Sequence, residues 1–169
     1  MKSRRTFLRK SVIAGLSLPL LGTSVPGRYQ VTQMPDHPIC YFTKHLQWLG
    51  FDDLGIVLRE AGFDGADLTV RPGGHIEPGE AAKRLPMAVR TLARHGITVP
   101  MVVTRASDPD AKNLDDLLRA LADNGVRYYR MGYLRYDHSQ SIDENLHRFR
   151  DVLERFAEKN ARHGLSGGY

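Results

Sequence analysis

Four times along this chain an amphipathic stretch runs into a glycine and an apolar residue follows at once: EAGFDGADL, LARHGITVP, LADNGVRYY and ARHGLSGGY. The pivots are Gly62, Gly96, Gly125 and Gly164. A helix commonly closes on a residue in the left-handed conformation, which glycine adopts without a side-chain clash. The repeated pattern therefore marks four helix ends, each opening into a strand. It constrains the fold more than any other feature of the sequence.

Strand-like runs are predicted over Ile39–His45, Ala66–Val70, Thr98–Thr104 and Tyr128–Leu134. Between them apolar residues recur at helical spacing. Leu54, Val57, Leu58 and Ala61 form one stripe, and Leu85, Val89, Leu92 and Ala93 a second, with Pro86 placed in its first turn. Leu114, Leu117, Leu118 and Leu121 form the third. Ile142, Leu146, Phe149, Leu153 and Phe156 form the fourth, opened by Ser141 and Glu144 at capping-box spacing. Strands begin about every 30 residues, the length of one βα unit. Strict alternation implies a parallel sheet with right-handed crossovers, either doubly wound or a (β/α)8 barrel. A barrel needs eight units and about 250 residues. This chain of 169 residues offers four units and the first residues of a fifth.

In a parallel α/β sheet the ligand site lies at the carboxyl ends of the strands. The first strand end offers Lys44 and His45, and the second Asp67 followed by RPGGHIEPG with Arg71 and His75. The third offers Thr104, Arg105 and Asp108, and the fourth YYRMGYLRYDH with Arg130, Tyr133 and Arg135. The paired glycines of RPGGH suit either a backbone that approaches a ligand and presents its amides, or a tight surface turn. In the fourth strand Tyr129, Met131 and Tyr133 alternate with Tyr128, Arg130 and Gly132, so the two sets face opposite sides. An arginine buried there needs a polar ligand or an acid such as Asp67. No spacing marks a metal site, a phosphate loop or a dinucleotide fingerprint.

Charge narrows the partners. The formal charge is +5, but Lys2, Arg4, Arg5, Arg9 and Lys10 lie in an acid-free leader, and without them 19 bases face 19 acids. The body thus has no electrostatic case for nucleic acid. The leader MKSRRTFLRKSVIAGLSLPLLGTSVPG resembles a twin-arginine export signal, with Ser3, Arg4, Arg5, Phe7 and Leu8 in order. Its apolar run, Val12 to Leu21, is too short for a stable membrane anchor. The expected organisation is a signal over residues 1–24, a linker over 25–38 and the α/β body over 39–169, in a protein exported to the periplasm or beyond. Cys40 is the only cysteine, which excludes an intrachain disulfide.

ICYFTKHLQWLGFDDL, AGFDGADLTVRPGGHIEP, VPMVVT and YYRMGYLRYD, in this order, resemble the sugar phosphate isomerase/epimerase family of xylose isomerase-like TIM barrels, in a subgroup with twin-arginine leaders. The resemblance runs from Ile39 to Tyr169. It implies a (β/α)8 barrel that isomerises or epimerises carbohydrates with a divalent metal (Mn, Mg, Co or Zn). Dehydratases and an abasic-site endonuclease are among the relatives. The metal-binding acids and histidine of such barrels come mostly from strands five to eight, so this chain is expected to be the N-terminal half, cut within the barrel and without metal ligands. Little metal-dependent turnover is then expected of it alone. What the resemblance places on this half is substrate contact by Lys44, His45, Asp67, Arg71, His75, Arg130 and Tyr133, with Asp67 standing where many relatives carry glutamate. Catalytic residues are not assigned. Binding of a carbohydrate-like ligand without catalysis, and self-association through the open edges of strands one and four, are the alternatives.

Overall fold

The computed structural model describes residues 37–169. The expected signal and most of the linker lie outside the described residues. From residue 37 onward the chain alternates as expected: β1 (Cys40–Phe42), α1 (Phe51–Glu60), β2 (Gly65–Thr69), α2 (Ala81–Arg94), β3 (Thr98–Val103), α3 (Leu114–Asp123), β4 (Tyr128–Arg130), α4 (Ile142–His163) and β5 (Ser166–Gly168). All five strands are parallel and lie in sequence order. This is a partial (β/α)8 barrel, an arc of five strands with its helices on one face. Its free edges are β1 and β5; the fifth strand forms against β4, so β4 is not the edge that the sequence suggested.

The glycine pivots do what the pattern required. Gly62, Gly96, Gly125 and Gly164 all have positive φ, between 65° and 84°. The core lies between the sheet and its helices, where Ala66 and Leu68 of β2, and Val70 just beyond it, meet Leu54 and Leu58 of α1 and Leu85, Ala88 and Leu92 of α2. All four leucines of the third stripe are buried.

Four expectations need correction. The first strand stops at Phe42, and Thr43–Leu46 is a 3-10 turn. There the Thr43 hydroxyl replaces the ladder, donating to the Asp67 carbonyl (3.2 Å) and accepting from the Thr69 amide (3.2 Å). The fourth strand stops at Arg130, because Gly132 passes under the β3–α3 loop and its amide donates to the Ala106 carbonyl (2.8 Å). Pro86 sits well inside α2, not in its first turn, because Pro78–Glu80 forms a separate 3-10 turn and the helix begins at Ala81. The Ala82 carbonyl that loses its donor lies on an exposed residue, where water can replace it.

The fourth stripe is the largest departure. Phe156 is buried, but Ile142, Leu146 and Leu153 are 68%, 48% and 41% exposed. Two asparagines turn the helix. Asn160 accepts a hydrogen bond from the buried Tyr129 hydroxyl (2.9 Å). Asn145 accepts from the Asp137 amide (2.7 Å) and donates to the carbonyls of Asp137 and Ser141 (3.0 and 2.9 Å). These polar anchors fix which face of α4 meets the sheet, and hydrophobic periodicity does not register them. The capping box forms as read: Glu144 N–H donates to Ser141 Oγ, and Ser141 N–H to Glu144 Oε2.

Candidate functional site

Strand alternation sorts the side chains into two faces. Register places Phe42 level with Asp67, and Thr69 level with Val103 and Arg130, while Tyr129 on the other face points to α4. Phe42, Asp67 and Arg130 therefore share the inner, helix-free face near the carboxyl ends of their strands. A cavity of about 490 Å³ opens there. Its walls combine Phe42 of β1 and Lys44 just beyond it, Arg71 after β2, Arg105 after β3, and Arg130, Tyr133 and Arg135 from the end of β4.

Arg130 is the centre of this wall. Its guanidinium lies 5.8 Å from the Phe42 ring centroid and 5.6 Å from that of Tyr133, and it donates weakly to the Tyr133 hydroxyl at 3.5 Å. Its Nε is buried with no hydrogen-bond partner. Asp67, offered by the sequence as its acidic partner, makes no ion pair with it. Asp67 Oδ1 is likewise buried and unpartnered. Burial pushes the Asp67 carboxyl up to about 6, opposed by the positive charge of Arg130. Two complementary groups thus share a face without satisfying each other.

The cavity rim is held by loop-to-loop contacts. Thr104 donates to the Arg130 carbonyl (2.8 Å) and accepts from the Ala106 amide (3.2 Å). A side chain at Gly132 would place its Cβ 2.5 Å from the Arg105 carbonyl oxygen, so only glycine allows the two loops to touch.

The RPGGH loop takes the second of its two readings, the tight turn. The Gly73 amide donates to Glu77 Oε1 (2.7 Å), the Gly74 amide to the Arg71 carbonyl (2.8 Å) and the His75 amide to Thr69 Oγ1 (3.1 Å). Those amides are consumed by the turn. His75 is 6% exposed and built into the scaffold. Its Nε2 faces the Leu46 carbonyl (3.1 Å), and its Nδ1 faces the hydroxyls of Thr69 (3.0 Å) and Thr43 (3.3 Å). With Nε2 donating, Nδ1 is left as the acceptor. Burial holds the imidazole below its ordinary value.

Of the seven residues named from the sequence, Lys44, Arg71, Arg130 and Tyr133 line the cavity and Asp67 shares its face. His75 is turned away into the β1–β2 junction. His45 is exposed and meets only the edge of Phe42 (6.4 Å between centroids). Arg105 and Arg135 stood among the strand-end residues but outside that narrower set, and both line the cavity. Phe42 was passed over as strand interior; its alternation with Lys44 was the signal available.

A divalent metal, implied by the resemblance, does not fit this wall. Among the described residues no three His, Cys, Asp or Glu side chains come together in a way that could hold an ion. Among the described residues the buried carboxylate oxygen without a partner is Asp67 Oδ1, and the charge acting on that carboxyl is the positive one of Arg130.

Fold and cavity position define the class: a parallel βα arc with a polar cavity at its carboxyl end, as in TIM-barrel enzymes. No family model and no curated protein matches the chain. Among solved structures it is similar to D-psicose 3-epimerase with D-tagatose from Clostridium cellulolyticum H10, at a TM-score of 0.51 and 16% identity, over 78% of this chain and 51% of that one. It is also similar to the probable 3-DHS dehydratase AsbF involved in petrobactin synthesis from Bacillus anthracis, at 0.55 and 14%, again over 78% and 51%. The chain therefore spans about half the length of either structure, and the likeness is one of fold.

Proposed function

We propose that this chain supplies the substrate-contacting arc of a carbohydrate isomerase or epimerase of the xylose isomerase-like type. The observation that carries the reading is the pairing, on one face at the strand ends, of a carboxyl near 6 with an unsatisfied guanidinium. Isomerisation beside a carbonyl moves a proton between neighbouring carbons through an enediolate. A carboxyl titrating near neutrality can hold such a proton, and a fixed guanidinium can stabilise the developing oxyanion. Lys44, Arg71 and Tyr133 would orient hydroxyl groups. The sugar epimerase and the dehydratase among the structural neighbours support the class of chemistry.

The test is titration of the full chain with D-tagatose and D-ribose, followed by amide NMR. Saturable shifts confined to the ends of β1–β4 are expected. Shifts nowhere, or only on the outer helices, would end this reading.

A second reading rests on α4. Its exposed Leu146 and Leu153, with Tyr136 and Phe149, line an apolar groove of about 750 Å³ beside the free edge of β5. A second copy seated there would cover the groove and pair β5 with β1. Concentration-independent monomers in sedimentation would exclude it. For localisation we propose twin-arginine export, supported by Arg4 and Arg5 ahead of the apolar run. Replacing both by lysine should retain the protein in the cytoplasm, and undiminished export would refute the route.

A further inference from the structure

Beside the polar cavity lies a smaller slot of a different kind. It measures about 260 Å³ and opens between the loop after β2 and the loop after β3. Val70, just beyond β2, and Leu114 and Leu117 of α3 form its floor, and all three are buried. Neither loop can close the slot. Pro72 and Pro78 bracket the turn after β2 and have no amide to reach across. Opposite them the β3–α3 loop presents Ala106 and Ala111, whose side chains are too short to fill the gap. An apolar ligand between such walls gains dispersion contacts on both sides. The mouth is charged. Arg105, Lys112 and Asn113 belong to the lining and are exposed. The acids of the same segment are engaged elsewhere: Asp110 with Arg155, Asp115 with Lys159 and Asp116 with Arg119, while Asp108 accepts the Asp110 amide. Among the described residues Arg105 and Lys112 take part in no ion pair. Asn113 stands at the head of α3 without capping it, so its side-chain amide can donate elsewhere.

We infer that the slot is a second binding site of this protein, and that it takes a small apolar carboxylate. A ring or short alkyl chain lies against Val70, Leu114 and Leu117, and its carboxylate accepts from Lys112, Arg105 and Asn113. An apolar cavity of about 150 Å³ takes up benzene, so the slot has room for a ring with its carboxylate. Its floor offers no partner to the hydroxyls of a sugar, which would be costly to bury there. The inference goes beyond the carbohydrate reading of the polar cavity and does not depend on it. Thr104 and Arg105 line both spaces, so the two sites adjoin across the end of β3 and share a cation.

The experiment is titration of the full chain with benzoate, hexanoate, acetate and benzyl alcohol, followed by amide NMR. Benzoate or hexanoate is expected to saturate and to bind at least about tenfold tighter than acetate, which lacks the apolar body. Benzoate should also bind about tenfold tighter than benzyl alcohol, which lacks the charge. The shifts should centre on residues 70–72 and 105–117. Ala111→Phe fills the slot with a ring and should abolish benzoate binding. Lys112→Met should weaken benzoate about tenfold and leave benzyl alcohol unchanged. Both positions are exposed, so folding should survive either change. Arg119→Met removes a cation of α3 that pairs with Asp116 outside the slot, and should alter neither probe. Shifts centred on Arg130 and Tyr133 would put the acids in the polar cavity and overturn the inference. So would equal binding of benzoate and acetate, equal binding of benzoate and benzyl alcohol, no saturable binding, or full benzoate affinity in Ala111→Phe. The carbohydrate reading stands or falls on its own titration in every case.

Discussion

Two polar clusters lie side by side at the carboxyl end of this sheet, and they are built on opposite terms. In the first, Thr43, Thr69 and His75 close on one another, and both imidazole nitrogens are engaged. In the second, Arg130, Asp67 and the neighbouring cations share a face with a buried donor and a buried acceptor left over. Burial of a polar group is expensive unless it is hydrogen-bonded, so a satisfied cluster belongs to the scaffold and an unsatisfied one implies a ligand. Residue type alone did not separate them, since a histidine and an arginine were equally good candidates.

The contrast can be broken from the scaffold side first. His75→Leu leaves the Leu46 carbonyl and the Thr69 hydroxyl proton without their partner, and should destabilise the fold by about 3 kcal/mol. Urea unfolding measures this. In the fraction that remains folded, affinity for cavity ligands should be unchanged; a loss of affinity without a loss of stability would make His75 a ligand contact after all.

Gly132→Ala strikes the seam between the loops. The added methyl meets the Arg105 carbonyl and should cost about 2 kcal/mol through overpacking. Because the displaced loops carry Arg105 and Arg135, which line the cavity, the binding of cavity ligands should weaken as well. Full binding in a destabilised variant would separate the rim from the site.

Titration sharpens the contrast, because the two clusters respond to pH with opposite sign. Folded Asp67 keeps its proton up to about 6, whereas the unfolded chain releases it near 3.8, so its contribution to stability falls as pH rises through that interval. Buried His75 titrates below its ordinary 6.5, so the stability it contributes is present above 6.5 and lost as pH falls below that value. Asp67→Asn should stabilise the protein at pH 7 by about 1 kcal/mol, discounted for the solvent that still reaches the carboxyl. Thermal melts across pH 4 to 7 should then lose the Asp67 component and keep that of His75. A variant with the unaltered profile would mean that Asp67 titrates normally.

The smallest effect is expected on α4. Leu146→Gln and Leu153→Gln alter exposed positions and should change monomer stability by no more than about 0.5 kcal/mol. A large loss would show that this face is covered in solution, and sedimentation of the same variants would tell whether a second copy covers it.

Much of the fold was legible in the residues. Glycine at each pivot, leucines at helical spacing and the Ser141–Glu144 box act over a few neighbouring positions, so local rules read them correctly. The rim of the site was legible too, because strand ends face the ligand in any parallel sheet: Lys44, Arg71, Arg130 and Tyr133 were found that way. Strand lengths were not, because β1 stops where Thr43 meets β2 and β4 where Gly132 meets the β3–α3 loop, partners distant in sequence.

By itself, then, the sequence determined the alternation of elements, the parallel sheet and the end of it that carries the polar chemistry. Tertiary structure alone decided which face of α4 is covered, that the amides of RPGGH serve their own turn, and that His75 is bound while Arg130 is not. It also gathered five cations around one cavity in a body whose charges balance overall. The physical reason is the range of the interactions. Backbone conformation and periodic burial are settled within about a helical turn, but hydrogen-bond satisfaction and electrostatic potential depend on groups that only folding brings together.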